Sequence, residues 1–527
     1  MHSKLLIALF FFIPLTLLHG QPRTTTLFDA DVPRRADREL QFFAFFINQG
    51  VTSNFFPTTE FLRGQVIGRL FGRNTTMTSD TESTAYVEQR LIPFFVYQPN
   101  LFNGRAILRA AFEIDWTWGD VSYGAGPNQG AAVSGHQVNI QTQNIALELI
   151  PSPGWMINIG LQRMFDTPHN PYRTTVDKLL TSGYRLNFFG THAAGITLYR
   201  EADFHRFKAG WYNFYENNIF EDDDVHMFEF QYEAHLNKLW KAALTATYVR
   251  DRGNGGGGVS ILGQGLNSQL TEYNGAFRFR FGASPYKADI GWIGTHFSRN
   301  ADMMTDRFFL SGYFKYNLGF VRVDRGNGFN LAADIFGFAT NLRLGYRYGQ
   351  TLNDNVNLDL IFTSGDSDGI EDQRFTGVIT GNTWAAPGGI FVNSGAYLLF
   401  PHANVVNRFT PVVSDLSNMG YGLTAAVANF NRGVIPNRFN VKATVAAALS
   451  NATPIGGGRF IGTEVNGALK YNLGPFMSIE LHAAHMWLGN FFDSADSRFS
   501  APVNGGIQGV RPRNPWTAFV VFKWLMF

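Results

Sequence analysis

Residues 105–118 read RAILRAAFEIDWTW, and this stretch decides the fold class. Its even positions, from Ala106 to Trp118, are all apolar. Its odd positions carry both signs of charge, at Arg105, Arg109, Glu113 and Asp115. Side chains on a β-strand alternate between two faces, whereas on an α-helix these charges would spread around the cylinder. The stretch therefore predicts a strand between lipid and water, with tryptophan at the membrane interface.

The composition favours one large barrel over several soluble domains. A chain of 527 residues could hold three or more domains, but no Pro/Ser-rich or charged linker divides it. The mean hydropathy of -0.09 is that of a soluble protein, whereas 51 Phe, 19 Tyr and 10 Trp are a heavy aromatic load. Lipid-facing aromatic girdles would account for both observations.

Charge and cysteine content exclude several function classes. The formal net charge is only +2, so there is no general electrostatic reason to expect nucleic acid as a partner. The chain contains no cysteine, which excludes disulfides, cysteine-ligated zinc and thiol chemistry.

The first 20 residues have the features of a cleaved secretory signal. A basic start at Lys4 precedes an apolar run from Leu5 to Leu18, and Gly20 precedes the expected cleavage site. A transmembrane helix is the weaker alternative, because the run is short and contains Pro14. Residues 21–38 are polar and are predicted to be a short periplasmic leader. No later segment approaches the roughly 18 uninterrupted apolar residues of a spanning helix, so a membrane protein of this sequence must be a barrel.

The two-faced strand pattern recurs along the chain. It is found at 86–97, 137–149, 228–233, 272–281, 342–348, 438–445 and 477–482. In 137–149 the apolar parity changes near Asn144, which predicts a β-bulge. We therefore predict an all-β protein in which residues 39–527 form a single transmembrane antiparallel β-barrel of about 18–20 strands.

The connections between these strands fall into two length classes. Short ones are predicted at 99–100, 151–154, 235–238, 282–286, 351–355 and 474–475, and long ones at 119–134, 251–268, 364–419 and 490–513. Outer-membrane barrels have short periplasmic turns and long extracellular loops, so strand 84–97 should run inward and strand 103–118 outward. If both termini are periplasmic, this alternation of strand directions makes 61–71 the first outward strand. It leaves 40–49 as an extra strand that seals the seam or lies under the barrel.

The last residues, 516–527, read WTAFVVFKWLMF and end on an aromatic residue. They resemble the terminal strand by which the barrel-insertion machinery recognises bacterial outer-membrane proteins. Lys523 departs from that pattern, because it shares the parity of Phe527 and interrupts the apolar stripe.

Charged residues at the polar parity are predicted to line the lumen. They are Glu88, Arg90, Arg105, Arg109, Glu113, Asp115, Glu229, Glu233, Glu272, Arg278, Arg280, Lys287, Asp289, Arg343, Arg347, Arg438, Lys442, Glu464, Lys470 and Glu480. An anion pore would show a one-sided basic lining, whereas these signs are mixed. For any single residue, a cross-strand ion pair that stiffens the wall is the stronger interpretation, but together they predict a hydrated interior.

Residues 365–420 are too long for an ordinary connection and contain apolar pieces such as GAYLLFP. This segment is predicted either to fold into the mouth as a constriction or lid, or to pack as an outside flap on neighbouring loops. The acidic stretches 221–224 and 366–372 could bind divalent cations, but solvated acidic tips are the simpler interpretation, so we predict no metal site. We also predict no cofactor.

Enzyme motifs are absent from the sequence, including G-x-S-x-G, H-E-x-x-H and a phosphate loop. His482 beside Glu480 could in principle act as an acid or base, but without a nucleophile a structural role is the simpler interpretation, and we predict no catalytic residue.

The mature chain as a whole resembles Gram-negative outer-membrane β-barrels of the porin and exporter type. Its length and its Arg/Glu-rich two-faced strands are most similar to alginate-export-like barrels, with carbohydrate-selective porins next. The resemblance implies passive passage of a hydrophilic solute, such as a sugar or an anionic polysaccharide, through the outer membrane. The implied partners are membrane lipid and lipopolysaccharide, the barrel-insertion machinery and that solute. The alternatives are a filled structural or receptor barrel and, less favoured, an outer-membrane hydrolase.

Overall fold

A computed structural model describes residues 39–57, 70, 76–118, 139–163, 192–256, 262, 279, 281–301, 303–380, 390, 394–400, 413–494 and 511–526. Eighteen antiparallel strands form its wall. They are β1 Leu40–Ser53, β2 Thr84–Tyr97, β3 Ala106–Thr117, β4 Asn139–Leu149, β5 Trp155–Arg163, β6 His192–Glu201, β7 His205–Tyr215, β8 Val225–His235, β9 Trp240–Asp251, β10 Tyr286–Arg299, β11 Phe308–Asp324, β12 Phe329–Arg347, β13 Asn355–Thr363, β14 Leu423–Ile435, β15 Phe439–Ser450, β16 Phe460–Gly474, β17 Met477–Leu488 and β18 Trp516–Met526.

Shorter elements lie in the connections. Phe55–Pro57 pairs with Thr76–Thr78, and Arg374–Phe375 pairs with β12. Short 3-10 helices span Asn100–Phe102, Asn418–Gly420 and Asn490–Asp493. Within the described ranges no helix is long and apolar enough to cross a membrane. The predicted signal (1–20) and leader (21–38) lie outside the described residues.

The sheet closes on itself. Each strand pairs with its neighbours in sequence, and β1 also pairs with β18, from Ala44↔Met526 to Ser53↔Thr517. Closure removes the edge strands, whose unpaired backbone groups could not be satisfied in lipid. The predicted fold class, a single all-β antiparallel barrel, is confirmed, and the strand count falls in the predicted range.

The first outward strand is β1. It pairs directly with β2 along its whole length, from Leu40↔Tyr97 to Ser53↔Thr84. The assignment of 61–71 as the first outward strand is therefore wrong, because the sheet has no position for a strand between β1 and β2. The suggestion that 40–49 seals the seam is confirmed.

Side chains alternate between the outside and the lumen along each strand, as β18 illustrates. Val520 and Trp524 are exposed on the outside, whereas Val521, Lys523 and Leu525 are buried toward the lumen. The outer face is thus apolar, as a surface in contact with lipid must be. The lumen face mixes apolar and charged side chains. Lys523 belongs to the lumen face, so it does not interrupt the lipid-facing stripe.

The two ends of the barrel differ as predicted. Turns at one end, the short-turn end, include 150–154, 202–204, 236–239, 436–438 and 475–476, and the longest connections all lie at the other, long-loop end. One predicted short turn, 282–286, is wrong. Strands β9 and β10 pair directly as far as Asp251↔Ala288, so residues 282–285 lie at the long-loop end. The alternation in 272–281 did not mark a wall strand. Of that stretch, the described residues Phe279 and Phe281 are buried.

The length mismatch between β12 and β13 gives the long connection 364–422 its route. Strand β13 pairs only with residues 339–347 of the 19-residue β12. Beyond that point Arg374–Phe375 pairs with β12 at Asp334 and Ile335. The chain then turns toward the lumen, where Asn317 accepts a hydrogen bond from the Ile379 amide at 3.0 Å.

Candidate functional site

Residues 394–400, which we call the lumen segment, are held against the barrel wall by one carboxylate. Glu464 projects inward from β16 and is fully buried. Its Oε1 accepts the amide of Tyr397 at 2.6 Å, and its Oε2 accepts the amides of Leu398 at 3.0 Å and Leu399 at 2.8 Å. A buried carboxylate is tolerated only with such partners, so the contact anchors the segment at a defined place.

Gly395 allows the lumen segment to approach the wall closely. Its φ is +92°, and a Cβ atom at this position would lie 2.4 Å from Lys442 Nζ and 2.5 Å from Asn429 Oδ1. The Asn466 amide donates to the Gly395 carbonyl at 3.0 Å, and Asn429 donates to the Ser394 carbonyl at 2.7 Å. Only glycine combines this backbone conformation with this proximity.

Tyr397 connects the lumen segment to a chain of polar side chains on the wall. Its hydroxyl lies 2.8 Å from His482 Nδ1, and His482 Nε2 lies 3.0 Å from Glu480. Glu480 in turn accepts Lys523 Nζ at 2.9 Å, and the His482 ring stacks on Phe519 at 4.6 Å. Both ring nitrogens of His482 are therefore engaged, and His482 holds the segment to β17 and β18.

The same connection also contacts the opposite part of the wall. Trp292 Nε1 of β10 donates to the Ile379 carbonyl at 2.9 Å. Further along the same connection the Val413 amide donates to the Leu398 carbonyl at 3.1 Å. The Leu416 carbonyl accepts a hydrogen bond from Thr363 Oγ1 of β13 at 2.6 Å. Because β10 and β17 lie seven strands apart around the sheet, the connection crosses part of the bore.

Most described residues of the predicted lumen lining share the inward parity of their strands, but their exposure differs. Glu88, Arg90, Glu229, Glu233, Glu464 and Glu480 are buried, Arg109, Arg343, Arg347, Lys442 and Lys470 are partly exposed, and Arg105 and Arg438 are exposed at the short-turn end. Glu113 and Asp115 lie on β3. Glu272, Arg278 and Arg280 lie outside the described residues.

Lys287 and Asp289 do not belong to this set. On β10 the buried inward positions are the even ones, such as Ala288 and Ile290, so the two charged residues lie on the outer parity. The prediction was wrong because it assigned charged residues to the lumen, whereas at the rim of the barrel a charged side chain can also lie on the outer face. Both residues form ion pairs at the rim, Lys287 with Asp222 at 3.0 Å and Asp289 with Arg252 at 2.8 Å.

Ion pairs between neighbouring strands account for several lining charges. Arg109 bonds Glu148 at 3.1 Å, Lys208 bonds Glu229 at 2.6 Å, and Arg343 bonds Asp359 at 2.9 Å. Glu148, Lys208 and Asp359 were not predicted. Their inward parity is visible in the sequence, but the partner strands had to be known to select them. These pairs fit the interpretation that lining charges stiffen the wall.

The accessible charge near the short-turn end of β12–β16 is mainly positive. Arg343 is 29% exposed at its side chain, and Arg347, Lys442 and Lys470 are also partly exposed. The inward acids of this region, Asp359, Glu464 and Glu480, are buried beneath other groups. A solute that reaches the lumen segment from this end therefore meets cationic side chains first.

The two acidic stretches have structural partners. Asp222 binds Lys287 and Arg250, and the Lys287 ammonium, assisted by Arg250 and opposed by burial, lowers the pKa of Asp222. Asp366 accepts the amides of Gly369 at 2.7 Å and Thr376 at 2.8 Å. Carboxylates of Glu216, Asp223 and Asp224 lie within 4.8 Å of one another, but an exposed acidic group alone does not define a metal site.

Residues 298–505 match the alginate export family. The matched part contains β11–β17, the 364–422 connection and the anchors Glu464 and His482. The resemblance inferred from the sequence is confirmed for this part of the chain. A search of curated proteins found none that matches the sequence.

Several solved outer-membrane structures are similar to the barrel. OccAB4 of Acinetobacter baumannii is 10% identical with a TM-score of 0.46, covering 93% of this chain and 98% of its own. Pseudomonas aeruginosa OpdK with vanillate is 12% identical with a TM-score of 0.45, covering 92% and 98%. A BenF-like porin from Pseudomonas fluorescens Pf-5 is 10% identical with a TM-score of 0.49, covering 93% and 98%.

The closed wall with its apolar outer face is that of a protein of the bacterial outer membrane. Its outside contacts membrane lipid.

Proposed function

We propose that the barrel is a passive channel for a hydrophilic solute and that the lumen segment forms its constriction. The observation that carries this proposal is the binding of three consecutive amides, those of Tyr397, Leu398 and Leu399, by Glu464. A loop held inside the bore by a buried carboxylate narrows the path at a fixed position. The predicted lining residues, including Arg343, Arg347 and Lys442, would then contact the solute on either side of the constriction.

The accessible charge supports a preference for anions. The exposed parts of Arg343, Arg347, Lys442 and Lys470 present positive charge, whereas the nearby acids are buried. An unbalanced accessible charge in a narrow passage raises the local concentration of the opposite ion. This supports an acidic sugar or polysaccharide as the solute, in agreement with the partial match to the alginate export family.

The test is single-channel conductance in planar lipid bilayers. Glu464→Gln replaces an accepting oxygen by an amide donor that faces the donors of the lumen segment, so we expect a larger conductance than in the unmodified protein. Glu229→Gln is the matched control, since Glu229 is also a buried inward carboxylate and its partners, Lys208 and Tyr212, belong to the wall. Its conductance should stay close to that of the unmodified protein.

A filled structural or receptor barrel is the second candidate. The observation in its favour is that inward polar residues such as Gln49, Glu88 and Arg90 are almost fully buried. Absence of discrete conductance both in the unmodified protein and after deletion of 365–420 would favour this candidate and overturn the channel.

The proposal includes no catalytic step. A hydrolase would need a nucleophile beside His482 that a substrate can reach, but the hydroxyl bonded to His482 is that of Tyr397, which is buried. Hydrolysis of phospholipid or peptide by the detergent-solubilised protein, lost in His482→Ala, would contradict this assignment.

A further inference from the structure

A cavity of about 480 Å³ lies at the long-loop end of β7–β12, away from the lumen segment. Its lining comes from the 216–224 connection, from residues 252–254 and from the first residues of β10 and β12. Tyr286, on the lumen side of β10, and Lys287, on the outer side, both contribute to it. The cavity thus lies on the rim of the barrel, open to the outer medium.

Aromatic rings are presented at the cavity although their surroundings are polar. Phe220 is 69% exposed and Phe329 is 40% exposed. The position of Phe220 is defined by the backbone, because Asn217 Oδ1 accepts the amides of Ile219 at 2.8 Å and Phe220 at 3.0 Å. An exposed phenylalanine held at a loop tip beside a cavity offers an apolar face to a ligand.

Both cations of the lining, Arg252 and Lys287, are already paired with carboxylates. Asp222 binds Lys287 and Arg250, and Arg252 forms two hydrogen bonds to Asp289 at 2.8 and 3.1 Å. An anionic ligand would therefore have to displace one of these pairs. Hydroxyl groups can bond to the same side chains without displacing them, since a carboxylate has about four lone-pair sites.

One polar atom in the lining lacks a hydrogen bond. Oδ2 of Asp223 accepts the Asn217 side chain at 2.5 Å, whereas the buried Oδ1 has no hydrogen-bond partner in the described structure. A buried acceptor without a partner is unfavourable, so a hydroxyl group that reaches Oδ1 when the cavity is occupied would be favoured there.

We propose that this cavity binds an uncharged saccharide unit at the outer mouth of the barrel. Phe220 and Phe329 contact the apolar face of the sugar ring, and Asp223 accepts a hydroxyl donor. This inference goes beyond the proposed channel, because binding at the rim does not require that the lumen conduct.

The test is isothermal titration calorimetry of the full barrel in detergent free of lipopolysaccharide. The probes are maltohexaose and chitohexaose as uncharged saccharides, hexagalacturonate as an anion and choline as an organic cation. We expect the uncharged probes to bind, and Phe220→Ala to weaken them about tenfold, because it removes the ring face. The matched control is Ile219→Ala, whose side chain is 79% exposed at the same loop tip but does not line the cavity.

A second variant and a further probe complete the test. Asp223→Asn, which keeps the shape of the side chain, should also weaken binding. Binding of purified lipopolysaccharide core oligosaccharide through Phe220, in preference to the free saccharides, would identify the membrane as the source of the sugar. The proposal is overturned if no uncharged saccharide binds, if the charged probes bind more tightly, or if Ile219→Ala causes the same loss as Phe220→Ala. None of these outcomes affects the conductance test of the channel.

Discussion

Gly395 lies so close to Lys442 that a Cβ atom on it would be 2.4 Å from the lysine Nζ. This proximity lets the lumen segment bond the wall through backbone groups. Alanine at position 395 must either shift the segment or displace Lys442, and it also meets an unfavourable positive φ.

We therefore expect Gly395→Ala to increase single-channel conductance or to make it fluctuate between levels. Gly326→Ala is the control, because Gly326 also has a positive φ, +98°, but a Cβ atom there would meet no atom within 4 Å. Equal conductance changes in both variants would show that backbone strain, and not the contact with Lys442, is responsible.

Removal of an accessible cation should change ion selectivity. Lys442→Gln takes away one of the partly exposed charges near the short-turn end, so the chloride-to-potassium permeability ratio should fall. The ratio is obtained from reversal potentials in a salt gradient. Arg322→Gln removes an exposed charge from the outer parity of β11 and should leave the ratio unchanged. A ratio that is the same in all three proteins would argue against an anionic solute.

The ion pair between Lys523 and Glu480 should be important for stability because both side chains are almost fully buried, at 0% and 2% exposure. Lys523→Met leaves a buried carboxylate with one fewer positive partner, and we expect a loss of about 3–5 kcal/mol in the free energy of unfolding. The double variant with Glu480→Gln should lose less than the single variant. Urea unfolding in detergent micelles, followed by tryptophan fluorescence, measures the free energy of unfolding of both variants. A double variant that is less stable than the single variant would contradict the pairing of Lys523 with Glu480.

The turn at 348–354 should become less stable in acid. Burial alone would raise the pKa of Asp354, but the bonds it accepts from the Thr351 amide and hydroxyl and the Gly433 amide outweigh burial and lower it. The carboxylate thus stabilises the fold at pH above the unfolded value of about 3.9, and this contribution is lost as the pH falls through the lowered folded value. We expect Asp354→Asn to be less stable than the unmodified protein at pH 7, and the difference to narrow below about pH 4. Asp203→Asn, in the exposed 202–204 turn, is the matched control for the removal of a turn carboxylate.

The pairing of β1 with β18 can be tested by disulfide trapping, since the chain has no cysteine of its own. Gly50 and Val520 are directly opposite each other on β1 and β18. The pair Gly50→Cys and Val520→Cys should therefore form a disulfide in the membrane-inserted protein, visible as a shift in non-reducing electrophoresis. Gly50→Cys with Phe522→Cys, two positions out of register, should not. Efficient bridging of the second pair alone would show a different register.

The fold was largely predictable because lipid outside and polar side chains inside impose a period of two on each strand. The pattern failed at β1, where both faces are apolar over residues 42–47. The lumen side of this strand packs on the apolar part of β2, with Phe43 stacked on Phe94 at a ring separation of 4.5 Å, so alternation is lost. It also failed at 272–281, because an alternating segment need not join the wall.

The site was predictable in its residues but not in its contacts. Glu464 was recognised as an inward residue, and 365–420 as a segment able to enter the mouth. Their connection could not be derived, since Tyr397 and Glu464 are separated by 67 residues and no local pattern links them. The rim cavity was missed for the same reason, because it combines three connections that are distant in the chain.

The attachment of the lumen segment to β15–β18 has a consequence for biogenesis. Glu464 and His482 follow Tyr397 by 67 and 85 residues, so the segment emerges during synthesis well before the groups that hold it. Strand β1 likewise cannot complete its pairing until β18 has been synthesised. The lumen segment can therefore reach its place only when the last strands are present, in the same late step that closes the barrel. In a nascent chain stalled before Glu464 the barrel would remain open and the segment unattached.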